Sequence, residues 1–284
     1  MKSIGFIGGD LRAHILPELF KNEGYEVCVY GYSGAEDEAD SIMDIYNSDI
    51  IVFPMPTCNA DKIFAPFFSS DIYIDSLKLP RNKIIFYAGA NDVFKRKLDE
   101  SGSLCIDYMK REELQIKNAV PTAEGAAELA ISETAHTVFG EDVLITGYGN
   151  VARALARVLK ALGANVTVAA RKPSALADAW SCGYSCERIE SIKDCIGRYK
   201  LIFNTVPAMI FCNDVLDCMS DNALLIDLAS KPGGVDFSAA KAHKKRVIWA
   251  LSLPGKTAPI TAGKIIFDTI LTILSEIGGE KDET

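Results

Sequence analysis

The chain has 284 residues, of which 49% are hydrophobic and 24% charged. That length supports about two domains with cores of their own, and the composition excludes a disordered chain and a disulfide-stapled miniprotein. Its 30 Lys and Arg against 38 Asp and Glu leave a net charge of −8. This argues against nucleic acid or an anionic membrane as the main partner, so an anionic ligand has to be held by local groups.

In chain order, short unbroken apolar runs stand at residues 4–7, 27–30, 50–53 and 84–87, each bounded by Gly, Pro, Asp or Asn. They read as strands buried on both faces. Gly8-Gly9-Asp10-Leu11-Arg12 interrupts the N-terminus before a signal-peptide core can form. No apolar run approaches the roughly 18 residues of a membrane span, so the expected location is the cytoplasm. Phe64, Phe67 and Phe68, beside Pro66, read equally as core or as a partner surface.

After Pro121, Thr122 to Val138 reads as one Ala-rich helix, with Leu129 and Ile131 among its apolar positions. It feeds a second set of runs at 143–146, 166–169, 201–203, 224–226 and 247–249. Between the first two, Val151, Ala154, Leu155, Val158, Leu159 and Leu162 fall on one helical stripe that Gly163 stops. A last helix carries Ile266, Ile270, Ile273 and Ile277 on one face, and the charged tail 280–284 reads as frayed.

Strands alternating with helices imply parallel sheets. The expected architecture is α/β: two Rossmann-like or flavodoxin-like parallel-sheet lobes joined by helices, with a cleft between them. The first lobe spans 1–121, on the substrate side, and the terminal helix 261–284 joins it; the second, 122–260, binds a nucleotide. The eight cysteines are scattered through the chain, which suits reduced thiols. Cys182 and Cys186 have no second pair to complete a zinc site, so no metal is expected.

The strongest motif is Gly147-Tyr148-Gly149-Asn150-Val151-Ala152, which joins the run at 143–146 to the amphipathic helix. In a Gly-x-Gly-x-x-Ala turn the first glycine makes the tight bend and the second lets the backbone approach a pyrophosphate. The alanine permits close packing, and the helix N-terminus offers N–H groups to phosphate. A strand, a helix and a second strand all stand where this dinucleotide fingerprint needs them; a bare βα turn is the alternative.

An NAD site usually carries an acid at the end of the second strand, but here the chain reads Ala169-Ala170-Arg171-Lys172-Pro173-Ser174. Arg171, Lys172 and Ser174 suit a 2′-phosphate, so the expected cofactor is NADP. The alternative is a solvated basic turn. Asn204-Thr205-Val206-Pro207, the segment from Asp227 to Gly234, and the segment from Leu253 to Pro259 follow later strands. They read as loops at carboxyl strand ends, where the nicotinamide would lie. Tyr148 is expected to pack over the phosphates. His14, His136 and His243 fall at no expected carboxyl strand end and read as structural or surface groups.

These segments, with Gly8-Gly9-Asp10-Leu11-Arg12 and Pro121-Thr122-Ala123-Glu124-Gly125 at the lobe junction, resemble the dipicolinate synthase A-subunit family over essentially the whole chain. The resemblance implies NADP-dependent oxidation of dihydrodipicolinate, derived from 4-hydroxy-tetrahydrodipicolinate, to dipicolinate. It also implies a partner, a flavoprotein-like B subunit, and a place in the mother cell during sporulation. A small dicarboxylate substrate asks for cations and donors, for which Arg12, Thr122, Lys256 and Thr257 are the candidates. Glu124, Asp10 and Lys231 are the candidate catalytic groups. Asp10 reads equally as an N-cap, and Glu124 as a complement to the start of its own helix. Two rivals remain open: a non-catalytic nucleotide-binding regulatory subunit of that complex, and an NADP-dependent hydroxyacid dehydrogenase. A homo-oligomer is also left open.

Overall fold

The computed structural model describes residues 2–279; the tail 280–284 lies outside the described residues. The chain divides into two compact units, one made of 1–118 with 258–284 and the other of 119–257.

The first unit is built from β1 (Ser3–Ile7), α1 (Leu16–Asn22), β2 (Glu26–Tyr30), α2 (Ile42–Asn47), β3 (Ile50–Val52), the short pair β4 (Cys58–Asn59) and β5 (Lys62–Ile63), β6 (Ile84–Tyr87), α3 (Asp92–Ser101) and β7 (Leu104–Asp107). Its five-stranded sheet has the order β2-β1-β3-β6-β7 with every pair parallel. That is the flavodoxin-like doubly wound order, which reverses direction between β1 and β3. β1 shows why an unbroken apolar run is needed. Ile4 and Phe6 enter the core on one face, Ile7 enters the core on the other, and Gly5 makes room for Ile45. Helix α11 (Pro259–Gly279) lays Ile266, Ile270 and Ile273 into the first of these cores.

The second unit holds β8 (Asp142–Thr146), α5 (Asn150–Ala161), β9 (Asn165–Ala170), α6 (Pro173–Ser181), β10 (Ser185–Arg188), α7 (Ile192–Cys195), β11 (Leu201–Asn204), α8 (Asn213–Asp217), β12 (Leu224–Asp227), α9 (Phe237–Ala242), β13 (Arg246–Trp249) and α10 (Leu253–Thr257). Its sheet runs β10-β9-β8-β11-β12-β13, again parallel throughout. Numbered within the sheet this is 3-2-1-4-5-6, the order of dinucleotide-binding folds.

Three elements differ from the sequence reading. The helix expected over 122–138 is α4 (Glu112–Glu133), which starts ten residues earlier and carries Pro121 inside it. Leu114, Ala119, Ala123, Ala126 and Ala130 are all buried. They keep one helical phase through Pro121, so burial outweighs the one hydrogen bond that proline cannot donate. The loop expected from Leu253 to Pro259 closes into α10. β10, Ser185-Cys186-Glu187-Arg188, is an edge strand too polar to read as a buried run.

Gly263 of α11 shows how tightly this helix seats on the β1–α1 connection. An added Cβ there would overlap the Arg12 backbone oxygen and lie 2.7 Å from the Ile15 side chain. Overpacking against backbone costs about 3 kcal/mol, and replacing a helical glycine returns about 1 kcal/mol. Gly263→Ala is therefore expected to lower stability by about 2 kcal/mol, read as a lower urea midpoint at unchanged slope. An unchanged or raised midpoint would contradict this packing.

Candidate functional site

The site in the second unit is assembled at the carboxyl ends of β8, β11 and β12. Gly147 takes φ +88°, and a Cβ there would meet Thr205 Oγ1 at 2.5 Å and Val206 Cγ2 at 2.9 Å. Only glycine fits this bend. Gly149 is the N-cap of α5 and no side chain caps it, so the N–H groups of the first turn at Asn150 and Val151 are left for a ligand. A Cβ added at Gly149 meets nothing within 4 Å. The backbone is thus bare where a pyrophosphate would approach, and the chain's own atoms fit a dinucleotide phosphate.

A buried polar network holds the neighbouring loops. Thr146 Oγ1 donates to Asn204 Oδ1 at 2.6 Å, and Asn204 Nδ2 donates to Asp227 Oδ1 at 2.8 Å and to the Val206 carbonyl at 3.0 Å. The Val206 N–H returns to Asn204 Oδ1 at 3.1 Å. Asp227 also accepts the backbone N–H groups of Ala229 and Gly234, each at 3.0 Å. Thr146, Asn204 and Asp227 are each 0% exposed. Thr205 completes the tie, its hydroxyl donating to the Thr146 carbonyl at 2.8 Å.

Asn204 therefore shapes the loop with its side chain, while Thr205, Val206 and the exposed Pro207 form the surface beside Gly147. Sequence reasoning gave Thr146 no role and read Asp227 only as the start of a loop. A carboxylate ending a fully apolar strand, Leu224-Leu225-Ile226-Asp227, was the available signal.

Tyr148 differs from expectation. Its ring is 9% exposed, turned into the core toward Tyr184, with the Arg153 guanidinium 5.0 Å above it. Burial, and next a hydrogen bond with the Cys182 thiol, push its phenol well above the ordinary range. Only its backbone is left to face a phosphate. The ring packs in the core cluster of this unit, between Tyr184 and Arg153, in place of the phosphate side.

Arg171 follows β9 directly, Lys172 is the N-cap residue of α6 and Ser174 lies in that helix's first turn; all three are exposed. Lys231 is exposed after β12, and Lys256 and Thr257 are exposed at the end of α10. Thr257 donates to Glu128 Oε2 at 3.2 Å. Thr122 is half-buried and Glu124 exposed on α4. Glu124 lies mid-helix, and Glu112 and Glu113 occupy the helix start instead, so complementing that start is not its role.

In the first unit, Asp10 and Arg12 meet each other. Asp10 Oδ1 and Oδ2 accept from Arg12 Nε and Nη2, both at 2.8 Å, and Arg12 Nη2 also donates to the Met55 carbonyl. Arg12 is 4% exposed. The two-pronged grip expected for a substrate carboxylate is thus spent on Asp10. Asp10 is not an N-cap either, since α1 starts only at Leu16 with Ile15 as its cap.

The same late start puts His14 on the carboxyl side of β1, contrary to the reading that no histidine stands there. Its ring lies edge-on to Tyr32 and Phe67, and burial lowers its pKa. His243 bonds Asn213 and Asp217. Phe68 packs in the core while Phe67 is 45% exposed. All eight cysteines are free. Among the described residues no group of three or more His, Cys, Asp or Glu could hold a metal ion, and no helix is long and apolar enough to cross a membrane.

Residues 3–109 match the family described as the N-terminal domain of the dipicolinate synthase A-subunit. Residues 111–237 match "D-isomer specific 2-hydroxyacid dehydrogenase, NAD binding domain". The dipicolinate synthase A-subunit of Bacillus subtilis is 30% identical over 98% of this chain and 97% of its own length. The chain belongs to the dipicolinate synthase A-subunit family. Crystal structures of this family's proteins from Bacillus halodurans and Bacillus subtilis superpose with TM-scores of 0.88 and 0.86. Their identities are 28% and 29%, covering 96% and 98% of this chain and 97% of each of theirs. The second unit is a dehydrogenase-type domain, and a nicotinamide dinucleotide is the cofactor that its family implies.

Because Gly149 faces open space, Gly149→Val is expected to fold with a near-normal melting temperature and to lose nucleotide binding by at least a hundredfold, measured by calorimetric titration. Normal binding by this variant would move the phosphate site elsewhere.

Proposed function

We propose that this protein oxidises dihydrodipicolinate, formed by loss of water from 4-hydroxy-tetrahydrodipicolinate, to dipicolinate with NADP⁺. The observation that carries the reading is full-length kinship with the dipicolinate synthase A-subunit combined with an intact, uncapped glycine turn at the end of β8. The bound nicotinamide supplies a hydride acceptor. The substrate ring loses that hydride and one proton, and its becoming an aromatic pyridine provides the driving force, so the chain's task is largely orientation.

The first turn of α5 would hold the pyrophosphate, and the loop of Thr205, Val206 and Pro207 would flank the nicotinamide. Of the two candidate bases, Asp10 is committed to Arg12, which leaves Glu124 to accept the proton. Lys231 and Lys256, with Thr122 and Thr257, supply charge and donors for the two carboxylates. Neither lysine has an ion-pair partner among the described residues. The relative's A-subunit name supports a companion B subunit, and the family's chemistry supports a role in the mother cell during sporulation.

NADP is favoured over NAD because β9 ends in Ala169-Ala170 with no acid, and the exposed Arg171, Lys172 and Ser174 follow. Hydrogen bonds to a charged phosphate are worth roughly 1.5–3 kcal/mol. Arg171→Ala should therefore weaken NADP⁺ about tenfold or more and leave NAD⁺ nearly unchanged. The assay generates the substrate in situ and follows both NADPH and pyridine-2,6-dicarboxylate, with and without the B subunit. Equal losses for both nucleotides would defeat the NADP assignment. Turnover that needs the nucleotide on another chain would make this protein regulatory.

A further inference from the structure

Among the described residues, the first unit contains two buried hydroxyls without a hydrogen-bond partner, those of Tyr32 and Tyr46, and only that of Tyr32 lies beside the loops after β1 and β3. Tyr32 is 4% exposed, and its hydroxyl has no hydrogen-bond partner. Leaving such a group unpaired is costly, so it marks either a strain or a missing partner. The hydroxyl lies 3.0 Å from the position that a Cβ on Gly9 would occupy. Gly9, Asp10, Arg12, Tyr32, Met55 and Tyr108 are among the residues lining a partly open cavity of about 10 Å³, enough for one water-sized atom.

Arg12 opens on the same cavity. Its Nε and Nη2 are taken by Asp10 and Met55, while Nη1 makes no hydrogen bond among the described residues. Asp10 brings the nearest negative charge, and the paired Nε and Nη2 neutralise it. The cavity sits where β1 and β3 end, at the point of this sheet where doubly wound folds take their ligands. A wider groove that Tyr32 also lines carries Glu18, Glu36 and Asp37 against Lys21, which is paired with Asp37, so it offers an anion no free cation of that pair.

We propose that the Tyr32 hydroxyl and the outer Nη1 edge of Arg12 form a seat for one carboxylate oxygen of the substrate. The seat rests on the dicarboxylate reading given above and adds a residue to it. Burial keeps the phenol protonated far above neutral pH, so it donates at all working conditions. Asp10, in this arrangement, is the positioning residue that aims Arg12.

The test is calorimetric titration of pyridine-2,6-dicarboxylate into the full-length protein saturated with NADP⁺, comparing wild type, Tyr32→Phe and Tyr46→Phe. Tyr46 carries the other unpaired buried hydroxyl, in the core on the opposite face of the sheet, and serves as control. Tyr32→Phe is expected to weaken the dicarboxylate about tenfold or more, as for loss of a hydrogen bond to a charged group. NADP⁺ affinity and the melting temperature without ligand should not fall, and Tyr46→Phe should leave both ligands unchanged. Equal dicarboxylate affinity in wild type and Tyr32→Phe would mean that the cavity holds water only, and would overturn the seat while leaving the proposed function intact. Absence of any dicarboxylate binding by wild type would overturn both.

Discussion

A primary amide offers two N–H donors and an oxygen that accepts twice, and Asn204 uses all four at a position with no solvent. Its nitrogen serves Asp227 and the Val206 carbonyl, and its oxygen serves Thr146 and the Val206 N–H. A fully satisfied buried network rigidifies its surroundings, whereas a partly satisfied one is worse than an apolar contact. Here the network clamps the ends of three parallel strands, so the glycine turn after β8 and the loops after β11 and β12 hold one geometry before any ligand arrives. Pre-set donors cost no ordering when a phosphate binds. The open face at Gly149 is useful only because Thr205 and Val206 fix Gly147 from behind.

The first unit meets the same need with charge. Asp10 and Arg12 form a bidentate pair that reaches the Met55 carbonyl, tying the loop after β1 to the loop after β3. A buried pair of this kind adds little net stability, but removing one partner leaves an uncompensated charge. The two sheets therefore have different sensitivities. Loss of the amide in the second unit orphans neutral groups and takes one donor from an Asp227 carboxylate that keeps two backbone N–H partners, while loss of either member in the first leaves the other without its counter-charge.

The sheet strands were legible because burial on both faces forces unbroken apolar runs, as in Ile4-Gly5-Phe6-Ile7. The edge strand Ser185-Cys186-Glu187-Arg188 was not, since one partner strand and a solvent side relax that demand. The glycine turn could be read because its spacing answers to a single steric requirement. What lay beyond reach was the direction of side chains. Arg12 and Asp10 stand two residues apart, and nothing in that spacing tells whether the guanidinium faces a ligand or the neighbouring carboxylate. Tyr148 could not be oriented for the same reason, because its ring chooses between loop and core according to Tyr184 and Arg153, which come from later in the chain. Pro121 misled through a local rule that tertiary burial overrode. Asp10 resembles a helix cap in the sequence because the turns between it and Ile15, the actual cap of α1, carry no sharp stop signal.

The most direct measurement on the central claim is the affinity of Asn204→Leu for NADP⁺, taken well below its melting temperature, alongside its unfolding free energy. Leucine keeps the volume and removes all four hydrogen bonds, leaving Val206 and part of Asp227 unpaired and Thr146 with only its long bond to the Phe203 carbonyl at 3.4 Å, at a cost of about 3 kcal/mol. If the amide sets the geometry of the glycine turn, the folded variant binds NADP⁺ at least tenfold more weakly than wild type. A variant that loses stability yet binds NADP⁺ with unchanged affinity would show that the network supports the fold alone, and would contradict the account.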